Sequence, residues 1–137
     1  KSQGVTIGFE PEPGMLIDTM SSFEQLQDRI NSDHFQLTLD IGHLHCLGET
    51  PIKDYIRQWR HQIVNVHIED MRAGVHDHLM FGEGEIDFVP VLNAFREIGY
   101  AGGLHVELSR HSHDAPAAAR RAFDFLNSVI SGLDSAD

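Results

Sequence analysis

Ile63-Val64-Asn65-Val66-His67-Ile68-Glu69-Asp70 is a short run rich in β-branched residues that ends on an imidazole and two carboxylates. Its length and composition mark a strand rather than a buried helix. The same plan recurs three times: Val5 to Phe9 runs into Glu10, Phe35 to Leu39 runs into Asp40, and Leu104 to Leu108 carries Glu107 near its end. Helical patterns separate these runs. One opens at Ser21 or Ser22, with Phe23, Leu26 and Ile30 on one stripe and Ser21 with Glu24 as a capping box. A second opens at Thr50-Pro51, an N-cap followed by proline, and carries Ile52, Tyr55, Ile56 and Trp59. A third follows a long loop, is capped by Asp87 and closed by Gly99, and turns Phe88, Val91, Leu92, Phe95 and Ile98 inward. The last opens at Asp114-Ala115-Pro116 and buries a stripe from Ala119 to Leu133. Strands alternating with helices require parallel pairing through right-handed crossovers. Four such βα units fit either a small open sheet or half of an eight-stranded barrel, since a complete barrel takes about 250 residues.

Composition narrows the class. The 137 residues include 10 Lys+Arg against 21 Asp+Glu, a net charge of −11, and 41% hydrophobic residues, enough for a packed core. So acidic a chain makes nucleic acid a disfavoured partner. The lone Cys46 cannot form an internal disulfide, and no apolar run has the length of a membrane span. A cytoplasmic, folded protein is expected. The chain opens Lys1-Ser2-Gln3, without methionine, so residues upstream are also expected. Histidines number 10, as many as lysines and arginines together.

The carboxyl ends of parallel strands are where side chains from separate strands converge. Glu10, Asp40, His67 and Glu107 therefore form the expected cluster. Three carboxylates and one imidazole are a hard, oxygen-rich set that suits Mn²⁺, Mg²⁺ or Co²⁺ better than a sulfur-ligated structural zinc, with Zn²⁺ possible. A second set lies nearby in sequence. His43 stands three residues after Asp40, and His76-Asp77-His78 places two histidines around an acid, so that His43, His76 and His78 are candidates for a second metal. Gly82-x-Gly84 reads as a tight turn before the helix capped by Asp87. Arg72 and Arg110, with His111 and His113, follow the third and fourth strands and are candidates to hold substrate hydroxyls or a phosphate. His105 alternates with Glu107 and is expected to back it.

Taken in order, Gly8-Phe9-Glu10-Pro11, Leu39-Asp40-Ile41-Gly42-His43, Val66-His67-Ile68-Glu69-Asp70, Phe81-Gly82-Glu83-Gly84-Glu85-Ile86-Asp87-Phe88 and Gly99-Tyr100-Ala101-Gly102-Gly103 leading into Val106-Glu107 resemble the xylose isomerase-like TIM barrel superfamily, in its sugar phosphate isomerase/epimerase branch. The resemblance covers nearly the whole chain, as the carboxyl-terminal half of a (β/α)8 barrel. It implies that Glu10, Asp40, His67 and Glu107 bind one divalent metal, and that Glu10 and Glu107 are the acid/base pair of an isomerase or epimerase working through an enediolate on a sugar or sugar phosphate. It further implies that His43 contacts substrate oxygen, while Arg72 stands one place from the spacing of the family's arginine. The zinc apurinic endonucleases share the ordered ligand set and supply the competing expectation of phosphodiester cleavage. An inactive half-barrel or binding module is the third. Four units leave two sheet edges open, so either self-association or an amino-terminal half-barrel outside this sequence is expected to cover them.

Overall fold

A computed structural model describes residues 3–135. Its order is β1 (Ile7–Phe9), α1 (Met20–Ile30), β2 (Phe35–Asp40), α2 (Ile41–Cys46), α3 (Ile52–Gln58), β3 (Ile63–Ile68), β4 (Asp70–Arg72), β5 (Val75–Leu79), α4 (Phe88–Glu97), β6 (Leu104–Val106), a 3-10 turn (Ser109–Asp114) and α5 (Ala115–Asp134). Four strands form one sheet in the order β1-β2-β3-β6, every neighbour parallel. This is the half-barrel arrangement, and the four expected βα units are all present.

The central strands β2 and β3 carry the core. Leu37, Leu39, Val66 and Ile68 are fully buried, and Phe9, Phe23, Phe35 and Trp59 pack beside them with ring centroids 5.3–6.1 Å apart. Register pairs Asp40 with His67 and His67 with His105, so the strand ends lie level with one another.

Several boundaries differ from expectation. The first helix starts at Met20, with Thr19 rather than Ser21 as N-cap. Thr19 accepts from the backbone of Ser22, and the Ser22 hydroxyl accepts from the Thr19 amide, a capping box in which serine takes the part expected of Glu24. The carboxylate of Glu49 accepts from the Met20 amide at 3.0 Å and meets a further unpaired donor of that first turn. Pro51, not Thr50, is the N-cap of α3, in extended backbone and without a side-chain cap. Asp87 does cap α4, accepting from Val89, and Gly99 follows its end at φ 67°. Asp114 precedes α5 but makes no capping bond. The long loop after the third strand contains the antiparallel β4–β5 hairpin, and α2 follows β2 directly. No helix is long and apolar enough to cross a membrane among the described residues.

Candidate active site

The four strand-end residues come together. Glu10 follows β1 and Glu107 follows β6, the two outermost strands, yet both reach the His67 ring: Nδ1 lies 2.8 Å from Glu10 Oε1 and 2.9 Å from Glu107 Oε2. The Asn65 amide engages the other ring nitrogen at 3.1 Å and fixes the ring's orientation. Asp40, the last residue of β2, completes the group, and one ligand atom from each of the four lies within 4.8 Å of the others. One oxygen of Asp40 accepts from the His43 amide at 2.8 Å; the other, Oδ2, is buried without a hydrogen-bond partner. An orphaned carboxylate oxygen beside two further carboxylates and an imidazole is the environment a divalent cation neutralises. The residues present fit such an ion.

Burial pushes the Glu10 carboxyl up to about 7, against the pull of His67 and with the push of Asp40 and Glu107. Glu69, two residues past His67 and wholly buried, is driven up to about 11 by burial and by Asp40 beside it. Its two oxygens have no hydrogen-bond partner among the described residues. Gly42 makes room for it: a Cβ at that position would run into Glu69 Oε1.

A second cluster adjoins the first. The His43 Nδ1–H donates to the Pro11 carbonyl at 3.0 Å, which leaves Nε2 bare and 3.7 Å from Asp40 Oδ2. Burial lowers the His43 pKa. His76 and His78 alternate along β5, share a face and turn toward it. His76 Nε2 lies 3.1 Å from His43 Nε2 and 3.3 Å from His78 Nε2. The three histidines named as a possible second metal set are therefore one group of converging donors.

The arginines are already engaged. Arg110 pairs with Asp77 at 3.1 Å and ties the 3-10 turn to β5, while Arg72 donates to the Glu83 carbonyl at 2.8 Å. His111 and His113 lie in the 3-10 turn, and His105, expected to back Glu107, is exposed.

Asp70 does what the strand-end pattern does not reveal. Its buried carboxylate accepts from the amides of Met71, Gly82, Gly84 and Ile86 at 2.8–3.1 Å, so one side chain organises the whole glycine loop. Gly84 is required there, because a Cβ would collide with that carboxylate and lie 2.6 Å from the Met71 nitrogen. The signal in the sequence is an acid followed 12 and 14 residues later by the glycines of Gly-x-Gly.

A half-barrel sheet whose strand ends collect three carboxylates and an imidazole defines the class as a β/α-barrel protein with a divalent-metal type of ligand set. Residues 1–129 match the family model of the xylose isomerase-like TIM barrel, and the chain belongs to that family. It is 29% identical over 114 residues to the L-ribulose-5-phosphate 3-epimerase UlaE of Escherichia coli, a match that covers 83% of this chain and 40% of UlaE. Among solved structures it superimposes on a D-tagatose 3-epimerase-like protein with a TM-score of 0.75 and 27% identity, covering 95% of this chain and 50% of that one. The IOLI protein, solved with a bound zinc atom, gives the same TM-score of 0.75 and identity of 27%, covering 94% of this chain and 50% of its own. The chain thus spans half or less of the length of these relatives.

Proposed function

We propose that this chain carries the metal-binding and acid/base residues of a divalent-metal-dependent isomerase or epimerase acting on a sugar or sugar phosphate. The observation that carries this reading is the approach of Glu10 and Glu107, from the two outermost strands, to one imidazole nitrogen. Glu10, Asp40, His67 and Glu107 would hold the ion, with Mn²⁺, Mg²⁺ or Co²⁺ suited to the oxygen-rich set and Zn²⁺ the ion present in a relative. Bound there, the ion supplies Lewis-acid polarisation of a carbonyl and its neighbouring hydroxyl. Glu10 would take the proton from carbon. Glu107 would return it. Return to the same carbon from the other face inverts a centre, and return to the neighbouring carbon interconverts aldose and ketose. His43 would meet a substrate oxygen, a role supported by its position beside the cluster and by the Pro11 carbonyl that holds its ring. Arg72 and Arg110 would serve a hydroxyl or phosphate only by leaving Glu83 and Asp77.

The test joins metal affinity with proton exchange. Titrating Mn²⁺ into the metal-free protein should give one site per chain, weakened at least tenfold by Glu10→Gln and by Glu107→Gln. Incubation with L-ribulose 5-phosphate or D-tagatose in deuterated water should put deuterium on carbon, and each variant should slow this by about 10²–10⁴-fold. Unchanged metal affinity in both variants would refute the site.

The three converging imidazoles favour a second reading, phosphodiester cleavage at a site of more than one zinc, with His43, His76 and His78 holding the additional ion. The net charge of −11 weighs against a DNA substrate. More than one tightly bound zinc per chain, together with cutting of an abasic oligonucleotide, would reverse the ranking.

A further inference from the structure

His67 stands between two demands that require different tautomers. Its Nδ1 lies 2.8 Å from Glu10 Oε1 and 2.9 Å from Glu107 Oε2, and an ionised carboxylate can only accept. The proton of a neutral ring therefore sits on Nδ1 when those carboxylates are its partners. Nε2 is then bare, and the amide nitrogen of Asn65, 3.1 Å away, donates to it. A cation held by Glu10, Asp40, His67 and Glu107 needs the opposite arrangement, because Nδ1 is the ring atom that faces the carboxylates and a ligating nitrogen carries no proton. The ring's one proton then belongs on Nε2, which becomes a donor in need of an acceptor.

Asn65 can answer both demands. It stands two positions before His67 on β3, so the two side chains leave the same face of the strand, and both are half-buried. A primary amide offers a donor and an acceptor at equal reach, and a half-turn about its last bond exchanges them. With nitrogen toward Nε2 it supports the Nδ1–H ring; with oxygen toward Nε2 it supports the Nε2–H ring. Asparagine is depleted in strands, whereas Val66 and Ile68 give the other face of β3 the buried apolar residues that strands prefer. Its place beside the ring therefore has a reason other than strand formation.

We propose that Asn65 is a positioning residue whose amide turns over to set the His67 tautomer, nitrogen toward the ring when Nδ1 holds its proton and oxygen toward the ring when Nδ1 ligates a cation. This rests on the reading of Glu10, Asp40, His67 and Glu107 as cation ligands. The ring keeps one proton throughout, passed from Nδ1 to Nε2 by way of water.

Nitrogen-15 NMR of histidine-labelled protein places that proton, at about pH 8, above the ordinary imidazole range, with the His67 signals assigned by their loss in His67→Gln. Metal-free protein should show Nδ1 protonated and Nε2 bare, and zinc, which is diamagnetic, should reverse the two. Zinc affinity should fall roughly tenfold to hundredfold in Asn65→Leu, which offers neither donor nor acceptor, and stay within about threefold of the parent in Asn65→Asp, which keeps the acceptor. Lost packing alone would lower both alike. The proposal is overturned by a metal-free ring protonated on Nε2, by a zinc-loaded ring still protonated on Nδ1, or by equal zinc affinities in the two variants. Where Asn65→Leu does not fold, the tautomers of the parent decide. Glu10→Gln separates this failure from failure of the ligand set: if it weakens zinc binding at least roughly tenfold, the ligand set stands without Asn65, and if it does not, the ligand set falls and the proposal with it.

Discussion

Glu69 shows how a single buried group makes stability depend on pH. Its carboxyl has an ordinary value of 4.5 in the unfolded chain and is raised to about 11 in the fold by burial and the neighbouring Asp40. Between these values the folded protein keeps a proton that the unfolded chain releases, so its contribution is complete below 4.5 and is lost as pH rises toward 11. The slope from one such group reaches at most about 1.4 kcal/mol per pH unit. The metal-free protein is therefore expected to melt at progressively lower temperature from pH 6 to pH 9. Glu69→Gln, which cannot ionise and whose amide can donate to Asp40, should flatten that decline. Parallel melting curves for the two proteins across this range would contradict the assignment. Glu69 also explains why residue 42 is glycine, a constraint that arises from a contact across the fold rather than from a turn.

At the scale of elements, the glycine loop is held by one carboxylate rather than by its own turns. Asp70→Asn replaces an acceptor oxygen with a donor facing amides of Gly82, Gly84 or Ile86. Each buried amide left unpaired costs about 1–3 kcal/mol, so a loss of roughly 3 kcal/mol is expected, read by denaturant titration. The amides of those three residues should also exchange with solvent much faster than in the parent, and unchanged protection would count against this role. The four main strands and most helix positions were legible because apolar periodicity reports burial, and the convergence of Glu10, Asp40, His67 and Glu107 because all four stand at strand ends. The β4–β5 hairpin was not, since His76, Asp77 and His78 give its second strand no apolar face to recognise. The short helix α2 was hidden because Asp40 ends β2 and caps α2 at once, leaving no loop residue between them. Thr19 carries no sequence signal as a cap because Ser22 takes the part usually played by a longer acid or amide.

For the whole molecule, a net charge of −11 and three carboxylates gathered around His67 mean that a bound divalent ion should stabilise the fold markedly. At a hundred times its dissociation constant an ion contributes about 2.7 kcal/mol. That corresponds to a rise in melting temperature of roughly 5–10 °C for a chain of this size. Mn²⁺ should produce this rise, EDTA should abolish it, and Asp40→Ala should remove the response; an equal rise in that variant would place the ion elsewhere. The choice between an open sheet and a half-barrel, undecided by periodicity alone, is settled by strand order and by the match to barrels of twice the length.

Glu10 and Glu107 lie 97 positions apart in the chain, just past the ends of the outer strands of the sheet, and are brought to one ring by the bend between them. The separation of their carboxylates is thus a gauge of curvature. If the proposed cation site holds, any strain that flattens the sheet would draw these carboxylates apart and register as weaker cation affinity, and a captured cation would in turn act as a clasp, transmitting stiffness to loops it never touches.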